Sequence, residues 1–197
     1  MLRFSLICPA HKFSVFMVFS MQPMTIFFSV LFSSVCLGVV FGAYCQLYYL
    51  IQTVLLSWKL LSRHAIAKRQ ALLSLAVFGG YSTTRLSQEI DFLTQYHHIS
   101  WRQFLKYGYD ILFAFSEMED AQQQLLKEIL ESLQDRNEKE IIPFIEDFWA
   151  SDNLFAFEST AYEQAVEKYL KQRSRPIFWL VSQVFHFLDL PAVCFSR

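Results

Sequence analysis

The chain has 197 residues, the length of one ordinary domain or of a smaller domain with a membrane anchor. It carries 17 Lys and Arg against 18 Asp and Glu, a formal net charge of −1, which argues against a general nucleic-acid binder. Hydrophobic residues make up 54% and charged residues 18%, with 21 Phe, which excludes a disordered chain.

The charges are unevenly placed. After Arg3 and Lys12 none occurs until Lys59, so residues 13–58 carry no formal charge. Residues 13–23 are apolar but short, and Pro23 interrupts them. They read as half of a second span, an interfacial stretch, or sequence upstream of the functional start. Met24 is the expected start, which sets residues 1–24 apart. Mass spectrometry of the mature N-terminus would then find no peptide from residues 3–12.

Residues 25–44 form the best candidate span, since a bilayer-crossing helix needs about 20 mostly apolar residues. Thr25 and three serines are its polar members, and a helix satisfies them by back-bonding to its own carbonyls. Tyr44, Tyr48, Tyr49 and Trp58 follow where an aromatic belt would sit. A cleaved signal peptide has a shorter apolar core and a small-residue cleavage site, both missing here. Lipoprotein processing at Cys45 is disfavoured by the bulky Tyr44 before it. The plain alternative is a buried helix of a soluble core. Lys59, Arg63, Lys68 and Arg69 outnumber Arg3 and Lys12, so the C-terminal part is expected to be cytoplasmic, on a single-pass protein of the cell membrane.

Residues 45–175 read as a helical bundle. A stripe of Tyr44, Leu47, Leu50, Val54, Trp58, Leu61, Ala65, Leu72 and Leu75 runs out of the span at helical spacing. It stops at Gly79-Gly80, a plausible C-cap. A second helix begins after Ser82 and uses Leu86, Ile90, Leu93 and His97. Ser100 and Gln103 form a capping box that restarts a helix at Trp101. Leu112 and Phe115, then Leu125 to Leu133, continue helically. Residues 135–140 read as a solvated turn or helix end. Pro143 is placed in the first turn of a short helix, and Ser151-Asp152-Asn153 as an N-cap cluster. A last stripe of Phe155, Tyr162, Ala165, Val166, Tyr169 and Leu170 ends at Arg175-Pro176. The tail, 176–197, is apolar. Its run before Asp189 is too short to span and is expected on the bundle or at the membrane surface. The predicted fold is all-α, an N-terminal transmembrane helix continuing into an antiparallel bundle of long helices.

These residues resemble the LemA family of bacterial membrane-anchored helical proteins. The juxtamembrane stripe Tyr44, Leu47, Leu50, Val54, Trp58 carries the likeness, with Lys68-Arg69, the apolar run 71–77 and Gly80-Tyr81 behind it. The segment 151–157, with Asn153, and the pattern Tyr162, Ala165, Val166, Tyr169 complete it. The chain departs from the family pattern at Cys45, Ser62, Leu73 and Glu158-Ser159-Thr160. The resemblance implies one N-terminal span, a domain of long antiparallel helices and no established enzymatic activity. It supplies no catalytic residues.

Chemistry beyond that is sparse. His97 and His98 are adjacent, so they diverge on a helix and suit a shared metal poorly. Glu117, Glu119 and Asp120 read as a solvated helix start, because acids favour N-termini. No P-loop, GxSxG or dinucleotide fingerprint is present. Four cysteines without a CxxC pair suggest neither zinc nor a disulfide framework. The aromatic residues, Trp58, Trp101 and Trp149 among them, are expected in the core. Arg63, Lys68 and Arg69 read as a solvated basic face that reaches anionic lipid headgroups in the sharper version. No catalytic residue, cofactor or metal is expected. The expected partners are membrane lipid and an unidentified protein, with no nucleic acid. The expected role is non-enzymatic binding or scaffolding at the membrane; the alternatives are a hydrolase-like membrane enzyme and a multi-span protein.

Overall fold

The computed structural model describes residues 10–133, 138–191 and 195, with side chains except those of 10–23, 132 and 138–140. The sequence expectations on Arg3, Cys8, the Lys12 side chain, residues 135–137 and Cys194 lie outside the described residues. Among the described residues the fold is all-α, as expected: α1 Ala10–Gly79, α2 Thr84–His97, α3 Trp101–Ser132, α4 Glu138–Arg173 and α5 Pro176–Phe185. The chain divides into two compact units, Met1–Ala43 and Tyr44–Arg197, and α1 contributes to both.

In the first unit α1 is helical through Pro23, which therefore does not interrupt it. Proline removes one backbone bond, and the apolar helix on both sides outweighs that loss. Every side chain from 24 to 42 is exposed, including Phe32 at 71% and Phe41 at 69%. A buried core helix would show the reverse. Ser34 back-bonds to the Val30 carbonyl at 2.9 Å, as a serine in an apolar helix must. This helix is long and apolar enough to cross a membrane.

The second unit is built on a heptad. Leu47, Ile51, Val54, Trp58, Leu61, Ala65, Lys68, Leu72 and Leu75 are all buried, at alternating steps of four and three. Ile51, rather than the half-buried Leu50, occupies its place in this stripe. The ion pairs and hydrogen bonds set the directions. Ser62 meets His97 and Arg69 meets Glu89, so α2 runs antiparallel to α1. Trp58 lies against Phe104 and Phe115 while Arg69 meets Glu119, so α3 runs parallel to α1. Trp58 lies against Tyr162 while Lys68 meets Asp152, so α4 runs antiparallel. Both long helices are continuous where breaks were expected. α3 passes straight through residues 117–120, and α4 passes through Pro143 and Ser151-Asp152-Asn153.

The turns follow local chemistry. Gly80 adopts φ +73°, Tyr81 N–H donates to the Ala76 carbonyl at 2.8 Å, and Gly80 N–H to Val77 at 3.1 Å. That pair of bonds is the Schellman arrangement, and its left-handed residue favours glycine. Gly80→Ala is expected to lower stability by about 1 kcal/mol, because a Cβ is strained there although nothing crowds it. A thermal melt of the variant checks this. At the α3 start, Gln103 Oε1 accepts from the Ser100 hydroxyl at 2.8 Å and from its backbone N–H at 3.3 Å.

The tail straps the bundle. Tyr169 Oη donates to the Leu188 carbonyl at 2.8 Å, and Arg173 Nε to the Phe187 carbonyl at 2.7 Å. Leu190 lies against Gly108, where a Cβ would come within 3.3 Å of it. Phe195 ends among Phe115, Phe155 and Tyr162.

Candidate functional site

The core of the second unit contains a layer of charge. Lys68 Nζ donates to Glu119 Oε2 at 2.8 Å and to Asp152 Oδ1 at 2.9 Å. Arg69 donates to Glu89 at 2.9 Å and to Glu119 Oε1 at 2.7 Å. Arg85, exposed, closes the chain on Glu89 at 3.1 Å. Three cations face three carboxylates, so the layer is neutral, and it joins α1, α2, α3 and α4. Aromatic faces line it: Lys68 Nζ lies 4.5 Å from the Phe155 ring centre, and the Arg69 guanidinium 5.7 Å from that of Phe115. Desolvated cations gain from such faces.

These positions correct two expectations. Lys68 and Arg69 are buried within the bundle and offer no charge to lipid headgroups; of the three basic residues only Arg63 is exposed. Position 68 falls on the heptad stripe, so the helix turns Lys68 inward whatever its charge. Glu119 likewise caps no helix. It sits mid-α3 and accepts from both cations.

Beside this layer a cleft of about 450 Å³ opens between α3 and α4, lined by Lys68, Gln122, Leu126, Phe148, Trp149 and Asp152. The Gln122 side chain is buried, and neither its Oε1 nor its Nε2 has a hydrogen-bond partner among the described residues. Leaving such an amide unpaired costs about 1–3 kcal/mol. A ligand presenting a donor beside an acceptor satisfies it. Trp149, expected in the core, is 51% exposed at the cleft rim. Trp101 is half-buried, and only Trp58 meets the core expectation in full.

The remaining sequence candidates separate into core and surface. Leu47, Val54, Trp58, Tyr162, Ala165, Val166 and Tyr169 are buried. Tyr44 is half-buried, with its ring 5.6 Å from Phe187. Asn153 is exposed on α4, away from the ion pairs its neighbour Asp152 makes.

His97 is structural in its contacts. Its Nδ1 lies 2.8 Å from the Ser62 hydroxyl. Its pKa is lowered, first by burial and then by the charges of His98, Lys59 and Arg63. A histidine with a depressed folded-state pKa binds its proton more readily once unfolded. Stability is therefore full above the ordinary imidazole value of 6.5 and declines as pH falls through it toward the folded value. His97→Asn is expected to flatten that slope in melts taken across this range.

No protein-family model matches the chain, and no curated protein or solved structure is significantly similar to it.

Proposed function

We propose that the chain is a single-pass membrane protein of the LemA type, whose helical bundle serves as a non-enzymatic binding module on the cytoplasmic face. One observation carries the membrane part. Residues 24–42 expose an uncharged apolar surface on a helix long enough to cross a bilayer. The excess of Lys and Arg after that stretch supports the cytoplasmic side. The order of three motifs supports the family: the stripe through Trp58, the segment around Asn153, and Tyr162 to Tyr169. The packing of Trp58 on Tyr162 is common to many bundles and adds little to that assignment.

The binding part rests on the cleft. Its buried, unpartnered Gln122 and its exposed Trp149 suit recognition of a polar edge attached to an apolar group. The buried charges beside it are paired with one another and serve packing.

Alkaline carbonate extraction of native membranes tests the anchor: the chain stays in the pellet, and release to the supernatant refutes the reading. Cross-linking capture from native membranes tests the cleft. A partner held by the full chain is lost with Trp149→Glu, whereas undiminished capture places binding elsewhere.

A further inference from the structure

One face of α5 is left open by the described residues. It carries no charged residue, and four of its residues, Ile177, Trp179, Leu180 and Val184, are large, apolar and exposed there, while Phe185 lies on the side of Val181 and Ser182. Leu188 extends the patch past the left-handed turn at His186. The opposite side is committed: Val181 and Ser182 are buried, and Phe187 stacks on Trp101 at 5.4 Å. The bonds from Tyr169 and Arg173 to the segment after α5 keep it from rolling over.

The position of α5 narrows what covers this face. Phe185 lies 4.9 Å, centre to centre, from Tyr44, the last residue of the candidate span 25–44. α5 is thus one side-chain contact from the point where the chain leaves that stretch. A ten-residue helix is about 15 Å long, half the roughly 30 Å hydrocarbon core, so α5 does not span. Exposed Arg102 and Lys106 lie in the first turns of α3, which starts at the Trp101 ring that Phe187 stacks on, and exposed Lys171 and Arg175 lie just before α5; Asp189 is paired with Arg173, and the exposed acids of these segments are Asp110 and Glu167. An exposed apolar and aromatic helix preceded by exposed cations matches an anionic bilayer surface.

We propose that α5 is an interfacial helix that seats Ile177, Trp179, Leu180 and Val184 in the headgroup–acyl boundary of anionic lipid, with Arg102, Lys106, Lys171 and Arg175 on the phosphates. It holds the bundle against the membrane at a second point. This rests on the assignment of residues 25–44 as the span.

The full chain, with Cys8, Cys36, Cys45 and Cys194 replaced by Ser, is labelled with an environment-sensitive fluorophore at L180C, or at F157C on α4 as a control. It is reconstituted into phosphatidylcholine vesicles with and without phosphatidylserine, and quenched by lipids carrying a shallow spin label. The L180C probe is expected to be quenched several-fold more than the F157C probe. Phosphatidylserine is expected to increase that difference, and Lys171→Glu with Arg175→Glu to remove the increase. Equal quenching at both positions in a carbonate-resistant chain overturns the interfacial helix and leaves the span intact. Disulfide-linked L180C dimers without lipid quenching assign the face to a second copy and also overturn it. Release by carbonate with L180C still quenched removes the span and retains the helix.

Discussion

Glu119→Ala is expected to lower the stability of the bundle by about 3–5 kcal/mol, the usual cost of removing one partner from a buried ion pair. The loss is large because Glu119 serves two cations. Its Oε2 accepts from Lys68 and its Oε1 from Arg69, and both cations are almost wholly buried. Without Glu119, Lys68 keeps only the partly exposed Asp152, and Arg69 keeps Glu89. Arg69 has no slack, since its Nη2 already lacks a partner among the described residues. Glu119→Gln keeps the shape and two polar atoms, so its cost is expected to be smaller but of the same sign. Denaturant unfolding in mild detergent, followed by tryptophan emission, measures both. A loss below about 1 kcal/mol, the ceiling typical of solvated pairs, contradicts a desolvated layer.

Trp58→Ala is the second large effect, expected at about 3–5 kcal/mol from lost burial and the cavity left behind. Trp58 is fully buried, and three rings surround it: Phe115 at 5.4 Å, Phe104 at 5.7 Å and Tyr162 at 6.2 Å. These come from α3 and α4, while its indole N–H donates to the Tyr96 carbonyl on α2 at 3.1 Å. One side chain therefore joins every helix of the four-helix core. Trp58→Phe retains most of the apolar area and loses the bond, so its cost should fall nearer 1–2 kcal/mol. Equal losses for the two variants would show that the hydrogen bond, not the volume, dominates.

The turns after α1, before α3 and after α4 were legible, because Gly80, the Ser100–Gln103 box and Arg175-Pro176 are local signals that act within one turn, whereas the helix number was not, with extra starts read inside α3 and α4 and no helix read in the tail. Nor was the long continuity of α3 and α4. Ser151-Asp152-Asn153 has the residue types of an N-cap, but tertiary packing on both sides keeps the backbone helical, and Asp152 bonds to Lys68 instead. The charge layer left a trace that charge-based reasoning passes over. The stripe steps by seven from Ala65 to Leu72, and Lys68 fills the gap. Glu89 stands between Leu86 and Leu93, Glu119 between Phe115 and Gln122, and Asp152 between Phe148 and Phe155, each at spacings of three and four. Four helices thus each place one charge in phase with a buried stripe, and the signs are complementary. The cleft has no such trace, because it depends on how far apart α3 and α4 stand around Gln122 and Phe148.

Residues 25–44 are proposed as the one span, with everything after them on the cytoplasmic side, and protease digestion of sealed membrane vesicles of both orientations tests that topology. In inside-out vesicles the bundle is expected to be lost and one protected fragment containing residues 25–44 to survive. In right-side-out vesicles the bundle is protected. A second protected fragment containing residues 177–188, or digestion of the bundle from the outer face, would contradict it.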